Sequence, residues 1–274
     1  IEWQITTLRD NDKIIQGSHP VGWCQVCQNP VSQHDTMGDV EPKINNENYL
    51  VKFRLDEYVF PITTLRPETL FGITNLWVNP NTTYKKIKVD DEKWIVSQEC
   101  AEKLKFFGKE ISNEGDIKGT EIIGKTAKSP HTEQEIPIFE AGFVEPGMGT
   151  GLVMSVPAHA PKDYQALMDL KSKNHELASK IEPIPIISTE GYGNIPAKDV
   201  CERLGVTDQV DAKLEEATEE LYLKEFVNGK LNERCGDFVN EKVEFGRNKV
   251  RDWLKEKNEL LYLVQENLFF NRFL

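Results

Sequence analysis

The sequence predicts an α+β fold in which an antiparallel β-barrel carries peripheral helices. Three observations support this prediction. Apolar and polar residues alternate in short segments of residues 46–161, for example at 50–55 and 136–143, as they do in strands with one buried face. Helical spacing of apolar residues is found mainly after residue 161. The strand–helix–strand rhythm that indicates a parallel sheet is missing from the pattern.

Local patterns place the individual elements along the chain. Residues 1–10 predict the end of a helix, and residues 13–45 predict a polar connector. The predicted strands are 50–55, 58–62, 94–96, 136–143, 152–156, 182–188 and 260–264. The predicted helices are 97–106 opened by Ser97, 162–181, 207–220 opened by Thr207, and 243–257. We therefore expect one domain at 46–262, preceded by a connector helix and linker at 1–45 and followed by a returning linker at 263–274.

A first polar segment follows the predicted strand 58–62. Residues 63–69 read T-T-L-R-P-E-T and bring hydroxyls, a guanidinium and a carboxylate together. Pro67 cannot donate to a sheet ladder, so these side chains should be displayed where the strand ends. Taken alone, the segment is better interpreted as a threonine-rich strand with a proline turn, and the second segment described next changes that interpretation.

A second segment, residues 147–164, reads G-M-G-T-G-L-V-M-S-V-P-A-H-A-P-K-D-Y. Its glycines allow positive φ and close approach, and Asp163 falls in the first turn of a predicted helix. As a purely structural residue, Asp163 would complement the helix dipole and contribute roughly 0.3–1 kcal/mol. A phosphate-binding loop is excluded, because the Lys-Ser/Thr ending is missing and no helix follows directly.

The two segments resemble the editing domain inserted into the class I synthetases for leucine, isoleucine and valine. The finer match is to the leucine enzyme of the archaeal and eukaryotic kind, through L-R-P-E-T-L-F-G-x-T-N-x-W-V-N-P at 65–80, H-A-P-x-D-Y at 159–164 and I-E-W-Q at 1–4. The resemblance implies a barrel-type editing domain that hydrolyses mischarged tRNA(Leu). Norvaline, isoleucine and methionine esters would be accepted, and leucine would be refused.

The resemblance also implies residue roles. Asp163 would bind the α-ammonium group, in keeping with the strength of charge-assisted hydrogen bonds. Thr69, whose χ1 is stiff, would occupy the space that a γ-methyl of leucine needs, and Thr64 would hold the attacking water. The other expected substrate-binding residues are Leu65, Arg66, Glu68, Gly149, Thr150, Met154, Val156 and His159. The bacterial pattern has a further aspartate where this chain has Ala160, so no role is transferred to that position.

The sequence predicts no protein nucleophile. No Ser-His-Asp or Cys-His constellation is present, and His159, between two prolines, is better interpreted as structural than as a base. Water can attack directly, because an ester on the 3′-terminal adenosine is activated by the neighbouring hydroxyl; positioning and oxyanion stabilisation then suffice. We expect no cofactor for editing. ATP and Mg would serve only the synthetic site of the parent enzyme, and without H-I-G-H and K-M-S-K-S elements this chain should not activate an amino acid by itself.

Cys24 and Cys27 form a C-x-x-C pair, which is half of a tetrahedral zinc site, with His19 and His34 nearby. The returning segment 269–274 contains no cysteine to complete such a site. We therefore predict no metal within the chain, and zinc ligands supplied from outside it remain open.

Composition indicates an intracellular, cytoplasmic protein. The 274 residues are 39% hydrophobic and 28% charged, no run is long enough to cross a bilayer, and five irregularly spaced cysteines fit a reducing compartment. The start at Ile1 suggests an excised fragment. A net charge of −12 is unusual for a free-standing nucleic-acid binder. The expected partners are therefore the remainder of a synthetase chain, which holds the tRNA, and the tRNA acceptor end with its aminoacyl ester.

Two other interpretations remain open from sequence. The chain could be the editing insert of a valyl or isoleucyl enzyme, which deacylation of differently charged tRNAs would decide. It could instead be a non-catalytic tRNA-binding or docking module, for which bound zinc and salt-dependent RNA affinity without deacylation would be the evidence.

Overall fold

The computed structural model describes the backbone of residues 2–13, 22–24, 29–31, 48–105, 109–132 and 134–263. The chain separates into two compact units, residues 46–264 and residues 1–45 with 265–274. In the described part of the second unit, α1 (Glu2–Asp10) is the predicted N-terminal helix. Strands β1 (Gly22–Cys24) and β2 (Asn29–Val31) pair antiparallel.

The larger unit contains the remaining elements. Its strands are β3 (Asn48–Leu55), β4 (Tyr58–Thr64), β5 (Asn75–Val78), β6 (Thr83–Val89), β7 (Glu92–Ser97), β8 (Ile111–Lys118), β9 (Thr126–Lys128), β10 (Glu135–Glu140), β11 (Leu152–Ser155), β12 (Ile187–Ser188), β13 (Lys230–Leu231) and β14 (Leu260–Leu263). Its helices are α2 (Gln98–Leu104), α3 (Gly119–Ile122), α4 (Pro161–Ser172), α5 (Glu176–Ser179), α6 (Pro196–Leu204), α7 (Lys213–Asn228) and α8 (Val243–Glu256). Short 3-10 helices lie at Pro67–Gly72 and Glu233–Phe238.

Ten strands form one sheet in the order β11-β5-β10-β9-β3-β4-β7-β6-β8, with β14 paired to β3. Most neighbours are antiparallel, but β10 runs parallel to β5 and β7 runs parallel to β4. Each parallel pair is joined by a long crossover, as parallel pairing requires. The α+β class is confirmed, whereas the antiparallel prediction is wrong for these two pairs. No pairing among the described strands closes the sheet, so the barrel stays a prediction.

Several local predictions are confirmed. Helix α2 begins after Ser97, whose Oγ accepts a hydrogen bond of 3.1 Å from the backbone N–H of Cys100. An N-cap of this kind satisfies a donor that has no partner within the helix. Helix α8 matches the predicted 243–257, and β14 returns to pair with β3 as the last strand of the domain.

The predicted helix 162–181 is wrong in its length. It is interrupted between α4 and α5, where Asn174 adopts the left-handed conformation with φ 56°. Asparagine tolerates this conformation better than most residues, because its short polar side chain can bond locally. The predicted strand 182–188 is also too long, since strand pairing is confined to Ile187–Ser188.

The predicted helix 207–220 starts too early. Helix α7 begins at Lys213, and Thr207 instead donates from its backbone N to the Asp211 carboxylate at 3.1 Å. Threonine and aspartate often form such local turns rather than helix starts. The sequence analysis missed α6 entirely, although Pro196 at its first position is a recognised start signal.

Two apolar clusters fix the elements that matter for function. The main core joins the sheet to α8 through Val250 and Leu254, both fully buried. A second cluster packs Leu167 of α4 against Trp77 and Phe139 of the parallel pair β5–β10. Burying a leucine or an aromatic side chain contributes about 1.5–3 kcal/mol, so α4 is held firmly against the sheet. Among the described helices, none has the length and apolarity to cross a membrane.

Candidate active site

A cleft of about 690 Å³ opens beside the end of β4. Its walls come from the 3-10 helix at 67–72, from β11, from the start of α4 and from residues 209–222 around α7. Both polar segments singled out in the sequence therefore reach one cavity. The predicted site residues that line it are Thr64, Leu65, Arg66, Thr69, Met154, Val156 and Asp163.

Sheet pairing explains why the two distant segments meet. Strand β11 pairs antiparallel with β5, and Met154 lies opposite Leu76. The chain leaves β4, turns through the 3-10 helix at 67–72 and enters β5 directly. Strand β11 therefore adjoins the strand that follows the threonine segment, and the helix after β11 delivers Asp163 to the same place.

Asp163 is buried, with 6% of its surface exposed. One carboxylate oxygen accepts a hydrogen bond of 2.9 Å from the backbone N of Val156, and the other accepts one of 3.0 Å from the indole Nε1 of Trp77. Burial raises the pKa of Asp163 to about 7, although both hydrogen bonds act in the opposite direction. A carboxylate has about four lone-pair sites, so this one keeps acceptor capacity for a cation in the cleft.

Thr64 and Thr69 are held by the backbone of one residue. The Oγ1 of Thr64 accepts a hydrogen bond of 3.0 Å from the backbone N of Arg66. The Oγ1 of Thr69 donates one of 2.7 Å to the backbone carbonyl of Arg66. Thr69 is 1% exposed. Its hydroxyl bond and its β-branching together fix χ1, so the shape of this wall of the cleft is fixed as well.

The Arg66 guanidinium is committed to groups of the protein. Its Nε pairs with Glu68 at 3.0 Å, its Nη2 pairs with Glu225 at 2.7 Å, and its Cζ lies over the ring of Tyr222, 4.6 Å from the ring centroid. Burial acts to lower the pKa of Arg66, and Glu225 and Glu68 more than offset that effect, so the pKa is raised. Arg66 thus acts as a fixed wall of the cleft.

Glu68 and Gly149, two of the predicted substrate-binding residues, lie behind the cleft wall. Glu68 is fully buried; one oxygen pairs with Arg66, and the other has no hydrogen-bond partner among the described residues. Gly149 has φ 54°, and a Cβ there would stand 2.5 Å from the Oγ1 of Thr63. A glycine is needed at this position, because the loop packs directly on the end of β4.

The other two, Thr150 and His159, are also placed away from the cleft. Thr150 is buried, and its carbonyl accepts from the backbone N of Ser97 at 2.9 Å. His159 is fully buried; its Nε2 accepts from the backbone N of Ile186 at 2.8 Å, and its Nδ1 lies 2.6 Å from Glu225. These contacts give His159 a structural role.

The sequence analysis missed three residues that complete the site, Trp77, Tyr222 and Glu225. Trp77 belongs to the N-x-W-V-N-P run, but nothing in the sequence paired it with Asp163. Glu225 follows Leu221 by four residues on the buried face of α7. A carboxylate at an apolar helix position is itself a signal, since buried charges need a partner.

Among the described residues, no group of three or more His, Cys, Asp or Glu side chains converges in a way that could hold a metal ion. The side chains of Cys24, Cys27, His19 and His34 lie outside the described residues. Three other cysteines, Cys100, Cys201 and Cys235, are buried.

Comparison with known proteins gives consistent matches. The family model described as "Leucyl-tRNA synthetase, editing domain" matches residues 46–182. The leucine–tRNA ligase of Methanococcus maripaludis strain C5 is 44% identical over 291 aligned positions, which cover 97% of this chain and 30% of the ligase. The chain thus spans less than a third of the length of this curated relative.

Solved structures agree in fold. The crystal structure described as GlLeuRS-CP1 has a TM-score of 0.69 and 26% identity, covering 78% of this chain and 98% of that one. The cytosolic leucyl-tRNA synthetase editing domain of P. knowlesi has a TM-score of 0.71 and 18% identity, covering 79% of this chain and 96% of that one. The second likeness concerns the fold alone.

Proposed function

Because this chain belongs to the leucyl-tRNA synthetase editing-domain family, we propose that it hydrolyses the ester of mischarged tRNA(Leu). It removes norvaline, isoleucine and methionine, and it spares leucine. The observation that carries the proposal is the shared cleft, which places the Asp163 carboxylate and the Thr69 side chain around one cavity of about 690 Å³. The barrel-type architecture of such domains is part of the same proposal.

Asp163 binds the α-ammonium group of the aminoacyl ester. A buried carboxylate that is already oriented by Trp77 and Val156 loses little freedom when it accepts a cation. Charge-assisted hydrogen bonds are the strong ones, and low local dielectric strengthens them further. This contact fixes the α-carbon, and with it the position of the ester carbonyl.

Thr69 measures the amino-acid side chain. With its hydroxyl bonded to Arg66, the threonine cannot turn aside, so a leucine γ-methyl meets a rigid wall. A single methylene separates competing amino acids by only about 1–3 kcal/mol in a synthetic pocket. A second site that excludes the cognate product multiplies this discrimination.

Thr64 holds the attacking water. Its Oγ1 accepts from the backbone of Arg66, which leaves the hydroxyl hydrogen available to a water molecule in the cleft. The water oxygen attacks the ester carbonyl and gives up a proton, the bond from the carbonyl carbon to the ribose oxygen breaks, and the released ribose oxygen takes up that proton to become a hydroxyl. The free amino acid and an uncharged tRNA result. No cofactor takes part in this step, and ATP with Mg belongs to the synthetic site of the parent ligase.

The acidic charge of the chain indicates which part of the tRNA this domain binds and which part its partner binds. With a net charge of −12, the domain receives the 3′-terminal adenosine on surfaces near Met154 and Val156. The remainder of a cytoplasmic leucine–tRNA ligase holds the body of the tRNA, since phosphate contacts dominate RNA affinity.

The test is deacylation of tRNA(Leu) charged with isoleucine or with leucine. The chain should release isoleucine and leave leucyl-tRNA intact, and Asp163→Ala should abolish release while circular dichroism stays unchanged. Equal hydrolysis of both substrates, or full activity of the folded Asp163→Ala variant, would contradict the proposal.

A further inference from the structure

We propose that Glu225 is a positioning residue for residues 63–69, the first polar segment, and that it acts through Arg66. Glu225 lies in α7, outside the residues 46–182 that the family model matches. The inference rests on the function proposed above and names a residue that determines its specificity.

Glu225 is fully buried, and both of its carboxylate oxygens are used. One oxygen accepts from the Nη2 of Arg66 at 2.7 Å, and the other lies 2.6 Å from the Nδ1 of His159. A buried carboxylate is stable only when it is paired and hydrogen-bonded, so this geometry leaves little room for an alternative. Burial acts to raise the pKa of Glu225, and Arg66 and His159 more than offset that effect, so the pKa is lowered.

His159 anchors the carboxylate to the main chain. Its Nε2 accepts from the backbone N–H groups of Ile186 at 2.8 Å and of Ile187 at 3.3 Å. The ring hydrogen is therefore on Nδ1 and is donated to Glu225, as the hydrogen-bond network requires. One end of Glu225 is fixed to the backbone by this connection, and the other end faces the guanidinium.

Helix α7 supplies two contacts to Arg66, because Tyr222 stacks on the guanidinium at 4.6 Å and lies three residues before Glu225. Residues three apart share a helix face. The backbone of Arg66 in turn bonds both Thr64 and Thr69. A shift of the guanidinium that moves the backbone of Arg66 therefore also moves Thr64, which holds the water, and Thr69, which limits the size of the amino-acid side chain.

A purely structural role would predict a different result. Removing one partner of a buried ion pair lowers stability, because the other charge is left uncompensated. Stability loss alone would leave the substrate preference of the folded molecules unchanged. A positioning role changes the rate constant and the discrimination, since a misplacement of about 1 Å can cost about 10²-fold in rate.

The experiment compares E225Q, E225D and E216Q on isoleucyl-tRNA(Leu) and leucyl-tRNA(Leu). Glu216 is exposed on the same helix, so E216Q is a matched control for loss of one charge. E225Q should lower kcat for isoleucyl-tRNA by about tenfold or more with little change in KM. It should also lower the ratio of the hydrolysis rate of isoleucyl-tRNA to that of leucyl-tRNA. E225D should recover part of the rate, and E216Q should equal the wild type.

A double variant gives an independent readout. If Glu225 acts through Arg66, E225Q should cost little more in kcat when Arg66→Lys is already present, because coupled residues are non-additive. Fully additive losses would overturn the inference. Should E225Q fail to fold by circular dichroism, E225D and Tyr222→Leu carry the test, and wild-type rates and ratios in both would overturn it.

The two proposals fail in different ways. A wild-type chain that edits isoleucyl-tRNA, alongside a folded E225Q that matches it, overturns the role of Glu225 alone. A wild-type chain that hydrolyses neither ester overturns both proposals.

Discussion

Asp163 accepts a hydrogen bond of 3.0 Å from the indole nitrogen of Trp77, which lies 86 positions earlier in the chain. Trp77 is fully buried in β5 and packs against Leu167 of α4. The carboxylate is therefore tied to the sheet and to the helix that carries it. Preorganised polar groups of this kind need no rearrangement when a charged substrate arrives.

Trp77→Phe should weaken deacylation without disrupting the core. Phenylalanine keeps most of the packing but removes the indole donor, and a hydrogen bond to a charged group contributes about 1.5–3 kcal/mol. We expect kcat/KM for isoleucyl-tRNA to fall by about tenfold or more. Trp94→Phe is the matched control, because Trp94 is also buried and donates to Glu92 away from the cleft. Equal losses in both variants would show a general packing effect.

Deacylation should depend on pH through Asp163. Burial raises its pKa to about 7, and the charged form is the one that binds an ammonium group. The value of kcat/KM should therefore rise as pH approaches 7, and it should fall again as the substrate amine loses its proton near about 8. Asp163→Asn should lose the rising limb. A wild-type kcat/KM that stays constant between pH 5 and 7 would contradict this role, because the Asp163 carboxyl would then lose its proton without any effect on the reaction.

The same pKa gives a stability prediction of defined sign. The folded pKa lies above the ordinary value of 3.8, so the native state binds the extra proton between these values. The contribution of Asp163 to stability is fully present below about pH 3.8 and is lost as pH rises through about 7. The difference in unfolding free energy between wild type and Asp163→Asn should fall over this range, by up to about 1.4 kcal/mol per pH unit.

Thr69→Ala should admit leucine. Removing the β-branched wall frees space for a γ-methyl, and one methylene is worth about 10–200-fold in discrimination. Hydrolysis of leucyl-tRNA should rise by about tenfold or more while isoleucyl-tRNA is still hydrolysed. Thr120→Ala, at an exposed position of α3, serves as control. Continued sparing of leucyl-tRNA by the folded Thr69→Ala variant would show that another group excludes leucine.

Sequence patterns singled out many of the residues that line the cleft, because these residues lie in two continuous segments. Thr64, Thr69 and Asp163 could each be placed at a strand end or in a helix start from neighbouring prolines and glycines alone. The contacts of Trp77 and Glu225 could not be predicted in the same way, since they join positions 86 and 159 residues apart. His159 shows the converse, because a motif position near the site carries a side chain that faces the protein interior.

The boundaries of helices failed for local reasons. Asn174 ends α4 by adopting a positive φ, and Thr207 bonds to Asp211 in a turn before α7. In both places a short polar residue adopts a local conformation that competes with helix formation. The order of strands in the sheet depends on non-local pairing, and the alternation of apolar residues along one strand does not specify which strand lies beside it.

Gly149→Ala should displace the wall of the cleft. Gly149 has φ 54°, a conformation that costs other residues about 1–2 kcal/mol. The added Cβ would also meet the Oγ1 of Thr63 at 2.5 Å, and Thr63 lies beside Thr64 on the cleft wall. We expect the free energy of unfolding to fall by more than about 1 kcal/mol and the kcat for isoleucyl-tRNA to fall with it. Gly142→Ala is the matched control, since a Cβ there meets no atom within 4 Å. Thermal unfolding and deacylation of both variants decide the matter, because a Gly149→Ala chain as stable and as active as Gly142→Ala would show that the loop moves away from Thr63 at no cost.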